Sequence, residues 1–199
     1  QNWSSIASSA DGDKLVACVY DGYIYTSTDS GESWSRRTVA GERKWKSIAS
    51  STYGIKLAAA VYYGSGYIHT SVDSGSTWAE QTSSDLDDEI NSLMADGTKL
   101  AACVFGGYIY TSIDSGATWA EHTIGGAERS WMSIASSADG TKLAACGDGG
   151  NIFTSSNGGN TWEKQTSSAI RSWRSVAGSS NFEILIAVAA GDTDIHICK

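Results

Sequence analysis

The sequence has no proline, and its 14 lysines and arginines are outnumbered by 22 acidic residues. The net charge of −8 argues against a nucleic-acid backbone as the partner. No apolar run approaches the roughly 20 residues that cross a bilayer, so we predict no membrane span. Without proline, the 22 glycines must supply nearly all of the turn conformations. No signal peptide is evident, and a start at Gln1 favours a processed, secreted form.

Three of the four cysteines occupy equivalent places in the sequence. Cys18, Cys103 and Cys146 each end a short apolar run, and Ala60 fills the same place in another such run. A position that accepts cysteine or alanine is small and buried, so we predict free thiols with a structural role. Cys198 has no counterpart, and the spacing of the cysteines fits no metal site.

One segment recurs four times along the chain. It occupies Tyr23–Trp34, Tyr67–Trp78, Tyr108–Trp119 and Asn151–Trp162. Its acidic position recurs at spacings of 44, 41 and 43 residues, and in the last copy asparagine replaces aspartate. A period of this size is typical of repeat proteins, in which each repeat is one supersecondary unit.

Each repeat predicts four short antiparallel strands separated by Asp-Gly and Gly-rich turns. No window has the apolar spacing and caps of a helix. We therefore predict an all-β fold, a β-propeller of five blades in a single domain spanning residues 1–199. Four repeats are complete, and the fifth ends on its third strand. The repeats cover approximately residues 3–43, 44–88, 89–129, 130–170 and 171–199.

The repeated motif Ser-x-Asp-x-Gly-x-Thr-Trp resembles the Asp-box, or BNR repeat, over about 170 residues. Three copies match except that Ser33 replaces threonine, and the fourth has Asn157 and Gly158 in place of Asp-Ser. Asp-box propellers include sialidases, xyloglucanases, sortilin-type receptors and photosystem II assembly factors. The resemblance implies a propeller fold and leaves the function open.

We predict a structural role for the motif residues. The acidic side chain can accept hydrogen bonds from nearby backbone N–H groups, and the tryptophan can bury its ring between neighbouring sheets. Calcium binding is the alternative for these turns, but we predict no metal and no cofactor. The predicted structural residues are Asp29, Asp73, Asp114, Asn157, Trp34, Trp78, Trp119 and Trp162.

The resemblance to sialidases makes an enzyme the competing hypothesis. Glycosidases need two carboxyl groups at a defined separation with different pKa values. The acidic cluster lies in a link between repeats, and the three histidines are too scattered to predict a nucleophile with its base. We predict no catalytic residue. The cluster comprises Asp85, Asp87, Asp88 and Glu89, and the histidines are His69, His122 and His196.

An arginine precedes the first tryptophan of three repeats by two residues. The links that carry these arginines should share one face with the turns between second and third strands. Arginine stacked on aromatic rings is the structural interpretation; donors and aromatic platforms for a sugar or an anion are the functional one. The candidate ligand-binding residues are Arg43, Arg129, Arg171, Trp45, Trp131, Trp173, Tyr20, Tyr62 and Phe105, with Tyr63 beside them.

These patterns together favour a non-catalytic binding or scaffolding module with a carbohydrate or another protein as its partner. Lectin-like carbohydrate recognition at several repeats is its most concrete form. The alternatives are a glycoside hydrolase related to sialidases or glucanases, and an assembly factor like those of photosystem II. We also expect the faces of blades one and five to pack together, and the unpaired edge of the last blade to be a site of self-association.

Overall fold

The computed structural model describes residues 1–62, 68–81, 90–95, 98–126, 129–166 and 168–198. The acidic cluster at residues 85–89, the tip that contains Tyr63, and the Asp96-Gly97 turn lie outside these ranges. Every structural statement below refers to the described residues.

The described residues contain nineteen strands in five successive antiparallel groups, which we call blades 1 to 5. Blade 1 consists of β1 (Trp3–Ser8), β2 (Leu15–Val19), β3 (Ile24–Ser27) and β4 (Ser35–Arg37). Blade 2 consists of β5 (Trp45–Ser50), β6 (Leu57–Val61), β7 (Ile68–Ser71) and β8 (Ala79–Gln81). Blade 3 consists of β9 (Ile90–Ala95), β10 (Leu100–Gly107), β11 (Ile109–Ser112) and β12 (Ala120–His122). Blade 4 consists of β13 (Arg129–Ser136), β14 (Leu143–Gly147), β15 (Phe153–Ser155) and β16 (Glu163–Lys164). Blade 5 consists of β17 (Trp173–Gly178), β18 (Leu185–Ala189) and β19 (His196–Cys198).

Strands pair in chain order within each blade, as the repeated hairpin signals predict. Blade 5 has three strands in the described part of the chain, and β1 pairs with β2 rather than with the last blade. The far end of β10 also pairs with the start of β13, which joins blades 3 and 4. The one described helical segment is the short 3₁₀ turn Ile124–Gly126, and no described helix is long and apolar enough to cross a membrane.

The second strand of each blade sends alternate side chains to opposite faces of its sheet. In β2, Val16 and Cys18 face the next blade, and Ile24 of β3 joins them. We call this the leading face. The opposite face, which contacts the preceding blade, is the trailing face. In blade 2 the trailing face presents Trp45, Ile48, Leu57, Ala59 and Val61 to that leading face.

The hydrophobic core lies between blades, since each of its four clusters joins one leading face to the next trailing face. The leading faces supply alanine, cysteine and β-branched side chains, which leave room for the larger side chains opposite. In the last junction, Ala144, Cys146 and Ile152 of blade 4 pack against Trp173 and Val176 of blade 5. Small residues on one side and tryptophan on the other give the close packing that a junction requires.

The first and last blades do not pack face to face, contrary to our expectation from the sequence. The described strands of these two blades make no extended contact with each other, and their outward faces are exposed. Ile6 on the trailing face of blade 1 is 65% exposed, and Ile186 on the leading face of blade 5 is 42% exposed. The expectation was wrong because the four junctions between the five blades do not bring the two end faces together.

The three equivalent cysteines are buried free thiols on leading faces, as predicted. Burial raises the pKa of the Cys18 thiol to about 11 and that of Cys146 to about 12. A thiol with such a pKa carries almost no thiolate at neutral pH, and the thiolate is the reactive form.

Cys18, Cys103 and Cys146 should therefore resist iodoacetamide in the native protein and react rapidly in denaturant. Mass spectrometry of labelled peptides, taken over time, resolves the three sites separately. The variant Cys146→Ala should fold with only a small loss of stability, because Ala60 already fills the equivalent place in blade 2. Fast native labelling at any of the three would contradict the burial of the junctions.

The recurrent acidic turns also touch the preceding blade through their glycine. Gly159 has φ of +94°, and a Cβ added there would lie 2.9 Å from Cγ2 of Thr111 in blade 3. Gly31, its equivalent in blade 1, has φ of +91°, and the three atoms nearest to such a Cβ belong to Leu15 and Trp34 of its own blade. The two glycines thus share one backbone conformation, but only at Gly159 would an added Cβ press on a neighbouring blade.

Gly31→Ala and Gly159→Ala should each cost about 1–2 kcal/mol for the left-handed backbone. Gly159→Ala should cost a further 1–3 kcal/mol or so, because its methyl group overpacks the junction between blades 3 and 4. Chemical denaturation of both variants measures the difference directly. Equal losses of unfolding free energy in the two variants would show that the contact with Thr111 does not affect stability.

Candidate functional site at the blade links

The three predicted arginines occupy one recurrent position in the backbone. Arg43 forms an antiparallel bridge with Gly22, and Arg171 forms one with Gly150. Arg129 pairs with Gly107 in the same way, at the end of β10. In each case the link into one blade is bonded to the tip between the second and third strands of the blade before it. The arginine motif therefore marks the entry to a junction.

Each arginine side chain is also engaged within the protein. Arg43 donates from Nε to the Ala40 carbonyl at 3.1 Å, and its Nη2 lies 3.5 Å from Oε2 of Glu80. The Arg129 guanidinium lies 5.0 Å from the centre of the Phe153 ring. These contacts support the structural interpretation of the arginines, since they orient the link against the blade that follows.

Arg171 belongs to a small charged cluster in blade 5. Its Nη1 donates to Oδ2 of Asp192 at 2.6 Å, and Nε2 of His196 lies 2.8 Å from the same oxygen. The hydrogen bond with His196, followed by the charge of Arg171, lowers the pKa of the Asp192 carboxyl. The Arg171 guanidinium also lies 6.0 Å from the Trp173 ring.

The three candidate tryptophans are core residues. Trp45, Trp131 and Trp173 are at most 1% exposed, and each meets an aromatic ring of its own third strand edge to face. Trp45 packs on His69, whose pKa is lowered to about 4 by burial and then by Arg43, so this imidazole is neutral at pH 7. A ligand cannot reach these indole rings, which corrects their place among the ligand-binding candidates.

The other candidates lie on the surface beside the links. Tyr20 and Tyr62 meet with ring centroids 5.8 Å apart, and the Lys46 ammonium lies 5.0 Å from the centre of the Tyr62 ring. Phe105 is 46% exposed at the corresponding tip of blade 3. We call the surface formed by Tyr20, Arg43, Lys44, Lys46, Tyr62 and Phe105 the link face.

The link face is not the same in every blade. The tip position that holds Tyr20, Tyr62 and Phe105 in blades 1 to 3 holds Asp148 in blade 4 and Ala190 in blade 5. Asp148 pairs with Arg174 of blade 5 at 3.3 Å. Aromatic tip residues are thus found at blades 1 to 3, and the described residues do not form five equal binding sites on the link face.

The acidic turns repeat one hydrogen-bond pattern, on the residues for which we predicted it. Asp114 accepts hydrogen bonds from the Ser112 hydroxyl at 2.8 Å, the Thr118 backbone N–H at 2.8 Å and the Thr118 hydroxyl at 2.6 Å. Trp119 donates from its indole to the Gly116 carbonyl at 3.0 Å. Asp29 with Trp34, and Asp73 with Trp78, are bonded in the same way.

The fourth turn keeps the pattern without a charge. Asn157 accepts from the Ser155 hydroxyl and the Thr161 N–H, while its amide donates to the Thr161 hydroxyl at 2.8 Å. Trp162 packs into the junction between blades 3 and 4. Protein donors occupy the side-chain oxygens in all four turns, and the described residues contain no cluster of three or more potential metal ligands.

Hydrogen bonding shifts the titration of the acidic turns. The bond from Ser27 lowers the pKa of Asp29 to about 2, and bonds from Thr77 and Thr118 do the same for Asp73 and Asp114. A carboxyl whose pKa is lower in the folded chain stabilises the fold above its unfolded value of about 3.9. That contribution is lost as the pH falls through the folded value.

The triple variant Asp29→Asn/Asp73→Asn/Asp114→Asn should fold with the pattern seen at Asn157. At pH 6 it should melt below the parent, and the difference should shrink as the pH falls from about 4 to 2, because only the parent loses ionised acceptors there. Melting curves at several pH values measure this. A Tm that drops when EDTA is added to the parent at pH 7 would contradict the hydrogen-bond account and indicate a bound metal.

No protein-family model matches the sequence, and no curated protein matches it. Solved structures do match it. The structure of YCF48 bound to a D1 peptide is 16% identical, with a TM-score of 0.72 over 100% of this chain and 65% of that one. YCF48 from Cyanidioschyzon merolae is 17% identical, with a TM-score of 0.68 over 96% of this chain and 64% of that one. A GH74 xyloglucanase from Xanthomonas campestris is 13% identical, with a TM-score of 0.73 over 94% of this chain and 33% of that one.

The chain is a β-propeller. At these identities the likeness establishes the fold, which confirms the all-β propeller predicted from the sequence, and the five antiparallel strand groups of the described residues are consistent with five blades. The chain spans less than two thirds of the length of each of these structures.

Three basic residues near the links were absent from our sequence-based candidates, namely Lys44, Lys46 and Arg174. Lys46 and Arg174 each directly follow the first tryptophan of a blade, and both contact a side chain at a tip. Serine or methionine fills this position after Trp3 and Trp131. The pattern of a basic residue after the tryptophan was visible, but only the structure shows that it points to the link face.

Proposed function

We propose that this propeller is a non-catalytic binding module that holds a segment of another protein on its link face. The observation that carries the proposal is the Tyr20–Tyr62 ring pair with Lys46 beside it, next to the exposed Arg43 and Lys44. Rigid aromatic rings supply contact area at low entropic cost, and basic groups at their rim select acidic side chains or a chain carboxylate.

The comparison with solved structures supports a peptide segment as the ligand. One of the structural neighbours, YCF48, was solved with a peptide bound, and a protein partner was among our expectations from the sequence. The local charge also favours an acidic segment, because these basic groups stand out on a chain whose net charge is −8. An assembly or scaffolding role is the biological form that this binding would take.

Carbohydrate recognition is the second candidate, and the half-buried Tyr20 and Tyr62 and the exposed Phe105 favour it, together with the structural likeness to a GH74 xyloglucanase. The lectin-like form with several equal sites has less support, because the tip residues differ between blades. Glycoside hydrolysis needs a proton donor with a raised pKa, and every resolved shift of a described aspartate is downward.

A random peptide library displayed on phage and a glycan array, probed with the same purified protein, separate the two candidates. Selection of acidic peptides, with Kd raised at least about fivefold by Lys44→Ala and by Lys46→Ala, is the expected result. Lys164→Ala removes an exposed lysine from the outer strand of blade 4 and should leave binding unchanged. Enrichment on the glycan array alone would replace the first candidate by the second.

A further inference from the structure

Both end faces of the propeller arc are apolar and uncovered. The trailing face of blade 1 forms an open groove of about 630 Å³ lined by Trp3, Ile6, Ala17, Tyr25 and Trp34. Trp3 is 52% exposed, whereas its equivalents in blades 2, 4 and 5 are at most 1% exposed. The equivalents of Ile6 in those blades, which are Ile48, Ile134 and Val176, are at most 5% exposed.

The leading face of blade 5 is more apolar than any leading face inside the chain. Its side chains are Ile184, Ile186, Val188, Ile195 and Ile197, which are between 38% and 66% exposed. In blades 1 to 4 the position of Ile184 holds lysine, that of Ile186 holds valine or alanine, and that of Val188 holds cysteine or alanine. The position of Ile195 holds isoleucine, and that of Ile197 holds threonine. Blade 5 thus has a larger aliphatic side chain at three of the five positions and replaces the lysine by isoleucine, and exposing these apolar groups to water is unfavourable.

The loss of the lysine at the first of these positions is informative. Lys14 donates from Nζ to the Tyr53 carbonyl of blade 2 at 3.0 Å, and Lys142 donates to the Asn181 carbonyl of blade 5 at 3.0 Å. Ile184 stands at the equivalent position in blade 5. At the end face an aliphatic side chain therefore replaces the lysine that donates a hydrogen bond to the next blade. An aliphatic side chain suits a partner that covers this face with apolar groups.

The four internal junctions show what such faces bind. Every one joins a leading face to a trailing face through equivalent positions. One face of each kind is left over, at opposite ends of the arc, and the two do not meet within the chain. A second copy of the chain offers each end face an apolar face of the opposite kind, which is the pairing found at every internal junction.

We infer that copies of this chain associate head to tail, with the leading face of blade 5 docked on the trailing face of blade 1 of the next copy. The contact is heterologous, since different surfaces meet. A heterologous contact closes a ring where the rotation between copies allows it and otherwise extends an open chain, and a single contact leaves one free face at each end. This association uses the faces of the end blades rather than the edge of β19, and it is independent of any ligand on the link face.

Sedimentation velocity over a range of concentrations tests the inference on the 199-residue chain. The wild type should form dimers or larger assemblies. Ile6→Asp blocks the trailing face, and Ile186→Asp/Ile197→Asp blocks the leading face; each should weaken association at least tenfold. Both variants alter exposed positions, so circular dichroism should show an unchanged fold. Val72→Asp places the same charge at an exposed position in the acidic turn of blade 2 and should associate like the wild type.

Mixing the two blocked variants gives the decisive measurement. Each retains one intact face of opposite kind, so the mixture should recover a one-to-one dimer that neither variant forms alone. A contact between two like faces would not be rescued by mixing, and that result would overturn the inference. The inference would also be overturned if the wild type stayed monomeric at all concentrations. It would be overturned as well if Val72→Asp weakened association as much as the end-face substitutions do.

Discussion

The contact between one blade's leading face and the next blade's trailing face is the interaction on which this structure depends. A blade by itself is a small sheet with both faces apolar, and neither face is buried until a neighbour covers it. The alanines and cysteines of β6, β10 and β14 leave the space into which the tryptophans and leucines of the next blade fit. Each buried aliphatic or aromatic side chain contributes about 1.5–3 kcal/mol, so stability accumulates junction by junction.

The hydrogen-bonded features sit at the edges of these junctions and align them. On one side, Gly22, Gly107 and Gly150 are bonded to the links that carry the arginines. On the other side, lysines donate hydrogen bonds to carbonyl groups of the following blade. The glycines of the acidic turns in blades 2 to 4 lie against side chains of the preceding blade. These contacts add little apolar burial, but they set the register and angle at which the apolar faces meet.

The residues that hold the junctions together and those available to a partner are therefore neighbours on the same surface. The arginines at the junction entries are held by carbonyls, carboxylates and rings, and the groups best placed for a partner are their neighbours Lys44 and Lys46, with Tyr20 and Tyr62. Only blades 1 to 3 carry aromatic tips. A binding surface confined to part of the arc suits one asymmetric partner, such as a peptide, better than several identical small ligands.

The sequence alone determined the period, the order of strands, the acidic turns and the buried cysteines, because each depends on residues close together in the chain. Asp114 and Thr118, for example, are four residues apart, and their hydrogen bond needs no other blade. Tertiary structure decided which groups are accessible. Trp3 and Trp45 occupy the same place in their repeats, yet one is half exposed and the other buried, since only Trp45 has a preceding blade to cover it. Lys46 reaches Tyr62, and the end faces stay apart, for reasons of blade geometry that no local pattern records.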